Sequence, residues 1–449
     1  MKKNKSIDYL NASFSSIFFK LGMPILISCV LQIFLTAIQN DTIQQECPAY
    51  FTVMSLVGNV FTVITNVSAS LVSAIWVKYS LSFTGDNAEK EKSLVNSVVI
   101  VFVCQLIVEL LVIVFADPIL HFLNIPASVY DTVKTFFVLY TIMSFFTAAS
   151  ALAIALCNGL GSSADILTVN ILNTALPCAL LVLMLRAFNM GLLGGALFAG
   201  VAAAIVAIVT ILLLSLRKQV RFPKRENIRI DLSAAKSIVW MAAVIFLQNI
   251  LCNIGYIVAD MQRNRYLSLE YISAQAVSIP ITGPLSIFST IVTVVVTQNY
   301  AAQRMKRTHS LMWKAFWACE LYGILCGLIY WFCGEAYFST ISNDSVFVEW
   351  GAFHWKWNGI GYALVPALFV IRYFFVAVKR PGIALGAGIS ELFGNLLCAY
   401  LLIPNFGEIG YSLSKAIGWG LAALYTFICY FVFKNKIFSK QEIETGEGS

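Results

Sequence analysis

The sequence predicts an all-α polytopic membrane protein: twelve transmembrane helices in two six-helix bundles, related by a pseudo-two-fold axis along the membrane normal. Three observations predict it. The 449 residues are 59% hydrophobic, with a mean hydropathy of +0.80, far outside the range of soluble domains. Apolar runs near or above the ~20 residues needed to cross a bilayer recur along the whole chain. A short phrase also occurs twice, Asn189-Met-Gly-Leu-Leu-Gly-Gly-Ala-Leu197 and Asn405-Phe-Gly-Glu-Ile-Gly-Tyr-Ser-Leu413, at an offset of 405 − 189 = 216. Tyr79 before Leu94 meets Tyr300 before Leu311 at offsets of 221 and 217, so small gaps align the two halves. Tandem duplication of a membrane unit is the pattern of transporter folds.

The apolar runs lie at about 16–38, 49–77, 94–116, 132–157, 163–186, 191–216, 237–260, 271–298, 311–333, 355–378, 383–403 and 410–433. The first follows a polar start through Ser15 and has no small-residue cleavage site after a short apolar core, so it reads as a span and not as a cleaved leader. Gly/Pro/Asn clusters such as Asn158-Gly159-Leu160-Gly161 and Pro404-Asn405-Phe406-Gly407 separate the tighter pairs. Pro24, Pro177, Pro280 and Pro284 interrupt the first, fifth and eighth spans; each frees a backbone carbonyl and permits a bend.

Orientation follows from the basic residues. Alternate connections carry Lys2/Lys3/Lys5, Lys78/Lys90/Lys92, a basic stretch from Arg217 to Lys236, Arg304/Lys306/Arg307, Lys379/Arg380 and Lys434/Lys436/Lys440. The connections between them hold acids instead, among them Asp41, Glu46, Asp117, Glu335, Asp344 and Glu408. The positive-inside rule places both termini in the cytoplasm and the protein in the cell membrane. Arg263 and Arg265 fit this alternation worst, because the 260–270 connection falls outside. Six spans per half give both halves the same orientation, with domains at 1–222 and 223–449 and a cleft between them as the substrate path. The linker at about 217–236, broken by Pro223, reads as a solvated segment near anionic headgroups. His354-Trp355-Lys356-Trp357 reads as part of an outer aromatic belt, and the polar tail after Lys440 as disordered.

Several classes are excluded. The net charge of +7 is explained by its placement at membrane edges and does not suggest nucleic acid. The eleven cysteines lie nearly all inside apolar runs, so no disulfide framework is indicated. Cys319, Cys326 and Cys333 recur every seven residues as small residues on one helix face. No phosphate-binding glycine loop, metal-ligand cluster or histidine–acid pair at catalytic spacing appears; His121, His309 and His354 sit at span ends. Neither an enzyme nor a cofactor is expected, and ATP is not the direct energy source.

Five ionisable residues fall inside spans: Glu109, Glu320, Arg372, Glu391 and Lys415. Each costs about 2.5–3.5 kcal/mol at membrane depth on insertion scales, so each needs a partner or a wet path. At ~1.5 Å rise per residue, Arg372, Glu391 and Glu320 lie roughly 9, 12 and 13 Å from the cytoplasmic side. Their similar depth predicts a charge cluster, read either as a buried ion pair that holds a bundle or as a proton or substrate site. Glu109, roughly 22 Å in on the third span, has no evident basic partner and reads as a protonated acid or a site residue. Lys415 is near enough to the outer surface to snorkel.

Other stretches resemble a known family. Leu21-Gly-Met-Pro-Ile-Leu-Ile-Ser28 and the later Asp41-Thr42-Ile43 resemble the first helix of the MATE (multidrug and toxic compound extrusion) transporters. Thr297-Gln-Asn-Tyr-Ala-Ala-Gln-Arg304 resembles the family's turn after helix 8, and Val169-Asn-Ile-Leu-Asn173 its fifth-helix Asn-Ile stretch. The Asn-x-Gly-x-x-Gly phrase resembles the turns into helices 6 and 12. The chain departs from the pattern at Ser80-Leu-Ser-Phe83, at Thr174 where the fifth-helix acid is expected, and on the seventh span, whose only acid is Asp260 near its outer end. The resemblance implies a secondary antiporter that exports amphipathic or cationic small molecules in exchange for H⁺ or Na⁺, as a monomer among membrane lipids. It implies a cation-coupling site at Asp41, Asn170 and Thr174. Asp41 would be buried against the fifth span, with no basic residue of the fifth or sixth span deep enough to oppose its protonation; otherwise it is an exposed loop acid. Two alternatives remain, a lipid-linked oligosaccharide flippase of the same superfamily and a transport-dead membrane sensor. Against the flippase, the spans expected to line the cleft hold only Lys20 deep enough to meet a pyrophosphate.

Overall fold

The computed structural model describes residues 10–79, 87–160, 163–220, 230–277 and 280–438. Lys2/Lys3/Lys5, the Ser80–Phe83 segment, Pro223 with the boundary at 222/223, and the tail after Lys440 lie outside the described residues. Among the described residues nine helices are long and apolar enough to cross a membrane, and two bent pairs raise the number to eleven. The first six are α1 (Met23–Glu46), α2 (Ala49–Tyr79), α3 (Asn87–Val114), α4 (Tyr130–Leu160), α5 (Ser163–Val182) and α6 (Gly191–Leu216). α7 (Leu232–Tyr266) bends by 46° between Leu247 and Asn249. α9 (Met305–Phe332), α11 (Pro381–Leu397) and α12 (Ser414–Phe438) are continuous, while α10 (Ser345–Gly359) runs on through Leu364 and bends by 41° into Ala367–Ala377.

The eighth expected span is not one helix. A short helix Leu269–Gln275 ends before Pro280, a 3-10 turn covers Gly283–Leu285, and α8 (Ser286–Ile291) then starts the part that reaches Ala301 through a wide turn at Val292–Val296. Pro280 and Pro284 supply no backbone N–H, which is enough to stop the helix here. Pro177, by contrast, is carried inside an intact α5. Helix starts elsewhere follow ordinary capping: the Asp231 carboxylate accepts from the Ala234 N–H at 2.9 Å, and Asp344 accepts from Val346 at 3.0 Å.

The repeated phrase is a turn in both halves. Asn189, Gly191 and Gly407 all take φ near +50° (49°, 50° and 54°). One turn earlier each half widens into a π-type stretch, Leu183–Ala187 and Cys398–Leu402, at an offset of 398 − 183 = 215.

By their contacts the residues group into two compact units, Leu35–Ala276 and Met1–Phe34 with Val277–Ser449. The start of α1 thus groups with the second half of the chain, and α7 with the first, whereas the sequence repeat would divide them at 222/223. In Leu35–Ala276 the tightest pairing is α4 with α6. Gly200 permits it, because a Cβ there would meet the Met143 carbonyl oxygen at 2.6 Å. Leu71, Ala74, Ala148, Leu152, Val206 and Leu214 form its core, with Ala234 and Ile238 of α7 packed in. In the other unit α11 crosses α12 where a Cβ on Gly394 would meet Gly418 Cα at 2.7 Å. Small residues at such crossings are how helices pack in lipid, where no hydrophobic force drives them together.

One reading is corrected here. In the expected aromatic belt, His354 and Trp355 face inward and are buried. Trp355 stacks between Tyr330 (4.3 Å) and Tyr337 (4.8 Å) and donates to the Val277 carbonyl at 3.2 Å. Only Lys356 and Trp357 fit the belt; Lys356 stands over the Trp331 ring at 4.9 Å. Four consecutive residues span a full helical turn, so they cannot share one surface.

Candidate functional site

One buried polar network in Leu35–Ala276 was not expected from sequence. α7 continues to Tyr266, so Arg263 is not in an outer connection but inside the unit, at 1% exposure. It stands 3.2 Å from the Asp260 carboxylate, one turn back on the same face. The other Asp260 oxygen accepts from Asn59 Nδ2 of α2 at 2.6 Å. Arg263 also donates to the Ser55 carbonyl (2.8 Å) and to Asn264 Oδ1, and Asn264 donates to the Leu123 carbonyl at 2.9 Å. Gln275 Nε2 bonds to Ser55 Oγ. The signal was present in the sequence: opposite charges at i and i+3 share a helix face and neutralise each other, so the span can extend past both.

Asp41 lies on the last turns of α1, and its side chain is 40% exposed. The expectation that no basic residue could reach it is overturned. Arg186, just past α5 in its π-type stretch, stands 3.1 Å from Asp41 and 3.6 Å from Glu46, and donates to Gln45 Oε1 at 2.9 Å. The fifth helix ends at Ala187, as its apolar run implies, and the long Arg186 side chain spans from there to the last turns of α1. Asn170 is exposed, and the Thr174 hydroxyl donates to the Asn170 carbonyl of its own helix at 2.8 Å. Thr174 lies twelve residues before Arg186, roughly 18 Å along a helix, so the structure joins Asp41 to Arg186 and not to the Asn170/Thr174 pair.

Glu109 is buried on α3 at 3% exposure. Its Oε1 accepts from Gln105 Nε2 at 2.9 Å and lies 2.8 Å from Ser144 Oγ of α4. No ion pair involves it among the described residues. Outside the spans, Lys134 and then Tyr130 hydrogen-bond to Asp117 and hold its carboxyl below the usual range. That contribution is present above about pH 4 and lost as pH falls through the lowered value, and it is weak because the pair is wet.

In the other unit, Arg372 stands 3.9 Å from Glu391. Glu320 is half-buried and forms neither hydrogen bond nor ion pair among the described residues. Glu109 belongs to the first unit, so the expected cluster reduces to the Arg372–Glu391 pair. One turn beyond Glu391, Asn395 is fully buried with neither amide atom bonded. Replacing Arg372 with Met would leave the buried Glu391 carboxylate without this partner. The expected loss is about 3 kcal/mol, at the low end for a broken buried pair because the Arg372 side chain is partly exposed. Thermal unfolding of the purified variant in detergent checks it; unchanged stability would show the pair to be dispensable. Among the described residues no group of three His, Cys, Asp or Glu side chains could hold a metal ion.

No family model and no curated protein matches the chain. Solved structures do match it. An inward-facing conformation of a multidrug resistance MATE family transporter of the MOP superfamily aligns with a TM-score of 0.80 at 10% identity, over 91% of this chain and 96% of its own. An outward-facing conformation of a multidrug resistance MATE family transporter gives 0.72 at 12% identity, over 97% and 99%. The lipid II flippase MurJ, in an inward closed conformation, gives 0.72 at 15% identity, over 93% and 89%. The chain therefore has the fold of the MATE transporters, an all-α polytopic membrane fold.

Proposed function

We propose that this protein is a secondary transporter of the MATE kind, which exports amphipathic or cationic small molecules by alternating access in exchange for H⁺ or Na⁺. The observation that carries the reading is the near full-length likeness to transporters of that superfamily, one of them described by its multidrug resistance. Acids kept inside the spans support it, since a buried ionisable group is costly and is retained where ions or polar substrates pass. We read the protein as a monomer in the cell membrane with both termini cytoplasmic, and 222/223 as the boundary of the inherited repeat.

The likeness to a lipid II flippase supports a second reading. Against it, Arg263 and Arg372, one buried and one half-buried inside the spans, are each already beside a carboxylate. A pyrophosphate group would have to displace those acids.

Everted vesicles containing the protein separate the readings. Gradient-driven uptake of dyes or organic cations supports export; movement of a fluorescent lipid-linked oligosaccharide analogue without cation uptake supports the flippase. Neither signal would indicate a transport-dead membrane sensor.

The coupling role of Asp41 fits this reading in a modified form. With Arg186 beside it, a proton or Na⁺ would act by competing with the guanidinium for the carboxylate, making and breaking the pair between states. Asp41→Asn is expected to lower gradient-driven export at least about tenfold, equivalent to about 1.4 kcal/mol of coupling, with folding intact. Export unchanged in that variant would remove Asp41 from the coupling machinery.

A further inference from the structure

Among the buried carboxyls, Asp165, Asp260 and Glu391 each have an arginine beside them. Glu109 has only neutral company. Its helix packs against α2, α4, α7 and the short helix Ala116–Phe122. The charged groups of those elements are engaged or distant along the chain. Lys134 pairs with Asp117, and Asp260 with Arg263. Lys78 ends α2 and Lys236 begins α7, at the opposite end from Glu109, which lies near the close of α3. Asp131 and Arg265 sit in the terminal turns of α4 and α7. His121 stacks on Tyr130, and Tyr140 on Phe61. The other titratable side chains of these elements are Tyr50 and Tyr79 on α2, Cys157 on α4, and Cys252, Tyr256 and Tyr266 on α7. Gln105 and Ser144 are its polar partners.

Counting hydrogens in that trio favours the protonated carboxyl. Ser144 Oγ is 2.7 Å from the Thr141 carbonyl and 2.8 Å from Glu109 Oε1. A hydroxyl has one hydrogen, and a carbonyl has none. If Ser144 donates to Thr141, the contact with Glu109 needs a hydrogen that only the carboxyl can supply. On the other flank, Gln105 is fully buried and its Oε1 has no partner. The three contacts, Gln105 to Glu109, Glu109 to Ser144 and Ser144 to Thr141, have three hydrogens to fill them with Glu109 neutral and two with Glu109 ionised.

We propose that Glu109 is a proton-binding site, holding a proton while buried between Gln105 and Ser144 and releasing it when the transport cycle lets water reach it. The inference rests on the transporter reading for its role in the cycle, but not for the protonated state itself. The step balances simply: hydronium on one side of the membrane supplies the proton, one carboxyl O–H bond forms, and the same bond breaks to water on the other side. Burial favours the neutral form, and wetting favours the charged form. A conformational change that alternates the two would therefore move one proton per cycle.

The test uses the full chain reconstituted in lipid. Infrared spectra recorded from about pH 6 to about pH 8, where an ordinary glutamate at about 4.3 is ionised, should show a protonated-carboxyl stretch that Glu109→Gln removes. Identical spectra of the two proteins in that region would overturn the proposal. Because Glu109→Gln is itself a buried change, an apolar carbodiimide applied to the unaltered protein gives a second reading. Mass spectrometry should find Glu109 modified, less so as pH rises, and an unmodified Glu109 counts against it. In transport, Glu109→Gln should abolish proton-driven flux at least tenfold while substrate exchange without a gradient persists. A carboxyl signal accompanied by unchanged proton-driven flux overturns the carrier role. Wild-type vesicles that move no substrate under any gradient would sink the transporter reading and leave the carboxyl result standing.

Discussion

Replacing Arg263 with methionine should destabilise the protein by about 3–5 kcal/mol, the cost commonly found when one partner of a buried ion pair is removed. Arg263 and Asp260 are 1% and 2% exposed, and their closest N–O approach is 3.2 Å. Methionine fills much of the same volume but supplies no hydrogens. The Asp260 carboxylate would keep Asn59 but lose its counter-charge, and the Ser55 carbonyl and Asn264 Oδ1 would each lose a donor. Those losses join three parts of one unit: α2 through Ser55 and Asn59, the Leu123 turn through Asn264, and α7 itself. Adding Asp260→Asn to Arg263→Met removes the stranded charge, so the double variant should recover a large part of the loss. Thermal unfolding in detergent of the wild type, Arg263→Met, Asp260→Asn alone and the double variant measures the coupling. A single variant as stable as the wild type would mean that Asp260 does not carry an uncompensated charge in the folded protein.

The architecture was legible because membrane physics writes it plainly. Twenty apolar residues, a basic flank and a Gly/Asn turn are read without knowing any contact, and the repeat at 189 and 405 marked two turns that share a positive φ at Gly191 and Gly407. The candidate sites were less legible, for a different reason. Hydropathy treats every charge as a reason to end a span. It therefore ended the seventh span at 260 and put Arg263 outside, although a charge neutralised one turn away costs far less than a lone one. The same rule applied to Asp41 failed in reverse. Arg186 closes the fifth span and read as too shallow to oppose Asp41, yet its long side chain reaches the carboxylate on the last turns of α1. Glu109 was visible as an acid in an apolar run, but Ser144 is 35 positions away and no spacing rule connects them. The break before α8 was announced by Pro280 and Pro284; Pro177, equally suggestive in sequence, is carried inside an intact helix.

The two copies of the repeated turn should differ sharply in their tolerance of alanine, with Gly410→Ala the damaging change. Gly194 and Gly410 occupy equivalent places in the phrase, 410 − 194 = 216 residues apart. Around Gly194 an added Cβ would meet Met184 Cβ and Met190 Cβ at 3.1 Å and Leu185 Cδ2 at 3.4 Å, so its neighbours need give by only a few tenths of an ångström. Around Gly410 it would meet backbone: the Leu402 carbonyl oxygen closest of all, its carbon at 2.6 Å and the Ile403 nitrogen at 2.9 Å. That backbone belongs to the end of the π-type stretch Cys398–Leu402 and the start of the next helix, where Gly407 holds φ 54° and ψ −125°. A side chain cannot rotate out of such a clash; the turn itself must open. Overpacking of this kind costs about 1–3 kcal/mol, and Gly410→Ala belongs at the upper end, while Gly194→Ala should cost less than about 1 kcal/mol. Apparent melting temperatures of the two purified variants give the comparison. Equal losses would show that the second turn relaxes as readily as the first, and that the close approach at Leu402 is not what specifies glycine there.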